Sequence, residues 1–111
     1  MPYQDDVFGC PVDVGVHMIS GKWKPRILYE LFQQTRRFGE LYRQIPEVSR
    51  QVLTAQLREL EEGGIVRRTV YSTVPPKVEY SLTEFGKSLE PILEQLLKAG
   101  EQYISFQKEK Q

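Results

Sequence analysis

The chain is short of the groups that most catalysis draws on. Its 111 residues include one histidine and one cysteine, which are His17 and Cys10. No glycine-rich phosphate loop is present, and no His, Cys, Asp and Glu residues fall at metal-ligand spacing. Carboxylates are plentiful, but none form a recognisable acid/base constellation. These gaps argue against an enzyme, a metal site and a cofactor. A lone cysteine excludes an internal disulfide and agrees with a reducing compartment. No apolar run approaches the ~20 residues needed to cross a bilayer, and the opening MPYQDDVFG lacks a signal-peptide pattern. The expectation is a cytoplasmic protein with no membrane association.

Net charge is also missing: 15 basic residues balance 15 acidic ones. Taken alone, that balance speaks against a nucleic-acid partner. Its distribution does not. Between positions 22 and 58, Lys22, Lys24, Arg26, Arg36, Arg37, Arg43, Arg50 and Arg58 face only Glu30, Glu40 and Glu47, a local net charge of +5. Acidic residues gather instead at Asp5, Asp6 and Asp13, at Glu59, Glu61 and Glu62, and along the C-terminal segment. A basic middle between acidic ends is the pattern of one surface that meets phosphate. An ordinary solvated face produces it too, so the charge pattern needs support from elsewhere. At 40% hydrophobic and 27% charged residues, the rest of the composition fits one globular domain.

Support comes from residues 38–62, FGELYRQIPEVSRQVLTAQLRELEE. This stretch reads as a short helix, a turn at Pro46-Glu47-Val48, and a second helix capped by Ser49. Such a pair is a helix-turn-helix, whose second helix can lie in a major groove. A serine hydroxyl at the cap accepts an orphan amide proton, and Gly63-Gly64 stops the helix where a left-handed conformation is needed. Within it Leu53, Leu57 and Leu60 stack on one side and should face a core. Arg50, Gln51, Thr54 and Arg58 lie off that stripe and are able to bond phosphates or base edges.

The remaining segments fit around this unit. Residues 1–10 read as an N-terminal arm. Pro11 suits a first helical position, and Val12, Val16 and Ile19 recur at helical spacing until Gly21. A second helix carries Trp23, Ile27, Leu28 and Leu31, with Pro25 in its first turn and Trp23 as a packing residue. Arg36-Arg37 is long enough for a one-bridge strand. Residues 65–71, and then Val78, Tyr80 and Leu82 in alternation, read as two strands joined by a loop containing Pro75 and Pro76. A hairpin directly after a helix-turn-helix is a wing, and Arg67, Arg68 and Lys77 are its candidate phosphate contacts. Thr83 caps a last helix expected to run to about Gln107. Pro91 lies well inside that helix, so a kink or break is expected near residues 87–89. Its apolar stripe, Leu89, Ile92, Leu93, Leu96, Leu97, Tyr103 and Ile104, exceeds what the small domain can cover. A two-fold homodimer is the simplest remedy; a helix folded back onto its own domain is the alternative.

The fold class is therefore mainly α with a small β-hairpin: a winged helix-turn-helix domain over 11–82 and a C-terminal dimerisation helix and tail over 83–111. Several stretches together resemble the HxlR-type transcription regulators of bacteria and archaea, which are related in fold to the MarR regulators. They are Cys10-Pro11-Val12, Gly21-Lys22-Trp23-Lys24, Arg37-Phe38-Gly39-Glu40-Leu41, SRQVLTAQLREL at 49–60, Gly64-Ile65-Val66-Arg67-Arg68, VPPKVEYSLTEFG at 74–86, and Ser88-Leu89. The resemblance spans nearly all of 10–103. It implies a homodimer on double-stranded DNA, with Ser49, Arg50, Gln51, Thr54 and Arg58 as recognition-helix contacts and Arg37 and Lys77 as backbone or wing contacts. Dimerisation would fall to Val12, Val16, Ile19, Leu89, Ile92, Leu93, Leu96 and Tyr103. Two departures stand out. Arg50-Gln51 replaces the family's more frequent glutamine-lysine order, and no tryptophan lies near Gly100.

The resemblance further implies a thiol-reactive effector acting at Cys10, since some members sense oxidants or electrophiles there. A helix N-terminus favours the reactive thiolate. The opposing reading is an inert packed cysteine, with Asp5, Asp6 and Asp13 disfavouring a thiolate. A small-molecule effector between the helices at the dimer centre is a further open reading. So is a winged-helix protein-interaction module without DNA binding.

Overall fold

The computed structural model describes residues 9–110. Most of the expected N-terminal arm, residues 1–8, lies outside the described residues. In chain order the elements are α1 (Pro11–Ile19), α2 (Lys24–Gln33), β1 (Arg36–Arg37), α3 (Phe38–Gln44), α4 (Arg50–Glu62), β2 (Val66–Tyr71), β3 (Lys77–Leu82), α5 (Glu84–Lys87) and α6 (Glu90–Glu109). Pro11 sits in the first turn of α1 and Pro25 in that of α2, where a missing amide proton is no loss.

The core is built where these elements converge. Ile27, Leu28 and Leu31 of α2, Leu41 of α3, and Leu53, Leu57 and Leu60 of α4 are all buried. Ile45 and Val48 from the turn, and Ile65, Val66 and Leu82 from the hairpin, complete the cluster. Leu89 and Leu93 tie the start of α6 to the same core. The leucine stripe of α4 thus faces inward as its spacing predicts.

The sheet has the order β1-β3-β2 and is antiparallel throughout. Val66 pairs with Leu82 at the open end, in the core, and Tyr71 with Lys77 next to the loop. Arg36 and Arg37 pair with Tyr80 and Glu79, so the expected one-bridge strand contributes two residue pairs and makes the hairpin a three-stranded sheet. The short β1 leads straight into α3, so the sheet anchors the helix-turn-helix from one side.

The C-terminal region shows the break expected near residues 87–89 and not a kink. Thr83 caps the four-residue α5, its hydroxyl accepting from the Gly86 amide at 3.0 Å. The chain then breaks at Ser88-Leu89, and Pro91 falls in the first turn of α6 instead of deep inside a helix. A proline ring collides with the carbonyl four residues back, here Lys87, and offers it no proton. Ending one helix at Lys87 and starting another at Glu90 removes both problems. The second helix runs two residues past the expected end, to Glu109.

Candidate nucleic-acid interface

The local geometry of α4 comes from its two ends. Ser49, in an extended conformation, accepts the Val52 amide proton through Oγ at 3.1 Å. At the other end Gly64 takes φ 75°, its amide donates to the Glu61 carbonyl at 3.0 Å, and the Ile65 amide donates to the Leu60 carbonyl at 3.0 Å. That pair of bonds is a Schellman closure, with the buried Leu60 and Ile65 supplying its usual apolar contact. Between these ends Arg50, Gln51, Thr54 and Arg58 are exposed. Thr54 Oγ1 donates to the Arg50 carbonyl at 2.8 Å, which leaves its lone pairs and methyl facing outward.

The turn before α4 carries one strained residue. Glu47 has φ 73°, a region where a side chain is disfavoured, while Val48 beside it is buried. The first helix of the motif, α3, is fixed at its start by the Arg37 amide donating to Glu40 Oε1 at 2.7 Å. Beneath it lies a buried charge cluster. Glu30, only 3% exposed, accepts from Arg26 at 2.8 Å and from Arg36 at 3.2 Å. Arg26 also donates to the Gln44 carbonyl at 2.9 Å, so α2, β1 and the end of α3 share one network.

This network changes the meaning of the basic segment. Arg26, Arg36 and Lys24 are spent on internal pairs, Lys24 donating to Glu59 at 2.8 Å. Lys22, Arg37, Arg43, Arg50 and Arg58 remain exposed. The Lys24 ammonium, through its hydrogen bond and its charge, holds the Glu59 carboxyl below the ordinary glutamate range.

The wing residues are placed unequally. Lys77 opens β3, pairs with Glu79 at 3.3 Å and lies 5.0 Å from the Tyr71 ring centroid. Arg37 is the cross-strand partner of the same Glu79, so Arg37 and Lys77 share one face of the sheet. Arg68 is exposed opposite Tyr80. Arg67 instead lines a groove with Phe32, Gln34, Lys87 and Glu90, between the sheet and the start of α6. Val74 at the loop tip is fully exposed.

Two aromatic side chains of α3, neither of them among the expected DNA contacts, join the site. The Arg50 guanidinium lies 4.5 Å from the Tyr42 ring centroid and 5.9 Å from that of Phe38. Those rings are themselves stacked, 6.4 Å apart at an interplanar angle of 11°. Their i, i+4 spacing is the signal that identifies them, since it places both on one face of α3.

Away from α4, Val12, Val16, Ile19, Leu89, Ile92 and Leu96 line one apolar groove of about 300 Å³ between α1 and α6. Val12 (69%), Val16 (59%) and Tyr103 (64%) are largely exposed, whereas Leu89 and Leu93 are buried within the protomer. A separate cavity of about 290 Å³ lies between α1, the end of α4 and α5, lined by Val14, His17, Met18, Ile65 and Phe85 beside the Lys24–Glu59 pair. Cys10 is exposed at the N-cap of α1.

A capped helix with an inward leucine stripe and outward arginines, followed by an antiparallel wing, defines a DNA-binding transcriptional regulator of the winged helix-turn-helix class. A family model described as HxlR-like helix-turn-helix matches residues 18–108, and the chain belongs to that family. It is 50% identical over 99 residues to the HTH-type transcriptional regulator YdeP of Bacillus subtilis (strain 168), covering 89% of this chain and 77% of that protein. Among solved structures, the redox regulator HypR is similar in both its forms. The reduced form gives a TM-score of 0.85 at 47% identity, covering 90% of this chain and 99% of that one. The oxidised form gives 0.80 at 52%, covering 84% and 96%. A MarR-family transcriptional regulator from Enterococcus faecalis V583 gives 0.77 at 39% identity, covering 88% and 89%.

Proposed function

We propose that the protein acts as a homodimer that sets two copies of α4 into successive major grooves of a pseudo-palindromic operator. The observation that carries this reading is the exposed row Arg50, Gln51, Thr54 and Arg58 above a fully buried leucine stripe. Ser49 caps the helix and keeps a hydroxyl proton for a phosphate, while Arg37, Arg68 and Lys77 flank it on the wing side. Arg67, turned toward α6, serves the wing base rather than the groove. The twin copy seats on α1 and the first half of α6, around Val12, Val16, Ile19, Ile92 and Leu96. Leu89 and Leu93 fix α6 to its own domain, and Tyr103 extends the contact along the helix. The cytoplasm, where operator DNA is reached, is the compartment this role requires.

We further propose thiol control at Cys10. An exposed thiol at a helix N-cap, in a chain about half identical to a redox regulator, supports it. With no second cysteine, the oxidised product is an adduct or a disulfide to another chain. A non-covalent effector would enter the cavity beside the Lys24–Glu59 pair. The test pairs binding to DNA from upstream of the protein's own coding region with light scattering. A dimer whose affinity falls steeply with salt, and falls again by about tenfold in Arg58→Ala, is the expected result. Salt-independent binding, or a winged-helix monomer that captures no duplex, would favour the interaction-module alternative. Diamide treatment should change DNA affinity of the native chain and leave Cys10→Ser unchanged; equal responses would remove the sensor.

A further inference from the structure

The pairing of Arg50 with the α3 rings goes beyond the family's general mode of binding, and its functional meaning rests on the DNA-binding reading of α4. Arg50 is the first residue of α4, next to the cap. Its side chain is long and exposed, a kind that normally samples many rotamers and must be ordered before it can bind. Here its charge sits over Tyr42, with the centroid 4.5 Å away, and Tyr42 is backed by Phe38. The rings stand on a firm base. Leu41 and Ile45 on either side of Tyr42 are buried, and the Gln44 carbonyl at the helix end is held by Arg26.

We propose that Tyr42, supported by Phe38, is a positioning residue that holds the Arg50 guanidinium ready for DNA. A planar guanidinium that stacks through its face keeps its N–H donors in the plane, free at the edge. A guanidinium held over the rings by its charge, and not by a hydrogen bond, keeps its N–H donors for another partner. The acceptor is a pair of oxygen or nitrogen lone pairs on the duplex: a phosphate, or the O6/N7 edge of guanine. Lysine at this position keeps the charge but has no flat face to stack, which makes arginine specific to the site. The Arg50 contact with the duplex is thus set jointly by two helices of the motif.

The stack is tested first without DNA. In the NMR spectrum of the full-length protein, the Arg50 side-chain protons should be shifted upfield by the ring. That shift should persist in Tyr42→Phe and vanish in Tyr42→Leu, a variant that keeps apolar bulk so that the fold, checked by its melting temperature, survives. Duplex binding by anisotropy is measured next. Arg50→Ala should weaken it by about tenfold or more, the scale of one good arginine contact. Tyr42→Leu should weaken it by about three- to fivefold, the scale of an exposed cation–π contact, and Tyr42→Phe should match the native chain. In an Arg50→Ala background, Tyr42→Leu should cost nothing further. A phosphate contact shows as a loss equal on operator and scrambled duplexes with a log–log salt slope shallower by about 0.9. A guanine contact shows as a loss confined to the operator and reproduced by 7-deazaguanine at one position. Additive losses in the double variant, or native affinity in Tyr42→Leu, would overturn the proposal. An intact upfield shift with no salt-dependent duplex binding by the native chain would overturn the DNA reading itself, leaving a stack that serves only the fold.

Discussion

Glu30 is the side chain on which the frame of the motif turns. It is buried, accepts from two arginines on different elements, and so locks β1 and α2 beneath α3. A buried pair adds little over an apolar replacement, but removing one partner strands the others. Arg36 would suffer most, being 11% exposed with a buried Nε that already has no partner. Glu30→Ala should therefore destabilise the protein by about 3 kcal/mol in urea titrations; a loss within error would mean that water reaches the cluster. The Lys24–Glu59 pair is a contrasting case, since Glu59 is half exposed. The lowered Glu59 pKa means that the folded state favours the carboxylate. Its contribution is present above the ordinary glutamate pKa and is lost as pH falls through the lowered value. Solvent screening limits that contribution to about 0.5 kcal/mol. Comparing native and Glu59→Gln stability should show this gap at pH 7 and a shrinking one as pH falls below the ordinary glutamate range; a gap that grows on acidification would contradict the assignment.

What can be read from the sequence divides along the same line between local rules and long-range partners. The caps at Ser49 and Thr83, the Gly64 stop and the leucine spacing in α4 are local, and each appears in the structure as its chemistry requires. Ser49→Ala should accordingly cost about 1 kcal/mol, the usual worth of such a cap, seen as a lower melting temperature. Arg26 is a local partner of Glu30, four residues away on the same helix, but Arg36 and the partners of Lys24 and Arg50 are not local. Glu30 with Arg36, Lys24 with Glu59, and Tyr42 with Arg50, six, thirty-five and eight residues apart, each join two different elements, so no pattern within one helix reveals them. A charge count over 22–58 therefore overstates the basic surface, because it cannot tell an arginine facing solvent from one clasping Glu30. Pro91 is legible in part: the break expected near residues 87–89 is there, but whether a proline kinks a helix or opens a new one depends on what precedes it. Here the α5 unit is held by Gly86, where a Cβ would run into the Ile65 carbonyl oxygen. Thr83 reinforces that junction by donating to the Gly64 carbonyl at 2.6 Å. Gly86→Ala should destabilise by about 2–4 kcal/mol, among the larger single-residue effects, whereas Gly100→Ala, with open space around it, should not.

The molecule as a whole is longer than its chain length calls for. Its radius of gyration is 15.9 Å, against about 13 Å for a compact domain of 100 residues. The excess comes from α6, which buries only Leu93 among its twenty residues. Beyond it Ile92, Leu96, Leu97, Tyr103, Ile104 and Phe106 are each about half exposed or more, and Val12 and Val16 of α1 add to the same apolar surface. Patches of this kind on a small chain mark a docking surface. A two-fold pairing would bury the α1–α6 groove on both copies. Binding two half-sites through one rigid dimer makes the second contact intramolecular. Leu96→Glu places a charge in that groove without touching the core or α4. It should yield a folded monomer by light scattering, and operator affinity should drop by about a hundredfold or more. Affinity for a single half-site should stay unchanged, because nothing in the reading helix has been altered. If the monomer bound the full operator as tightly as the native protein, the two α4 helices would not be working as a pair, and the pseudo-palindrome would lose its physical basis.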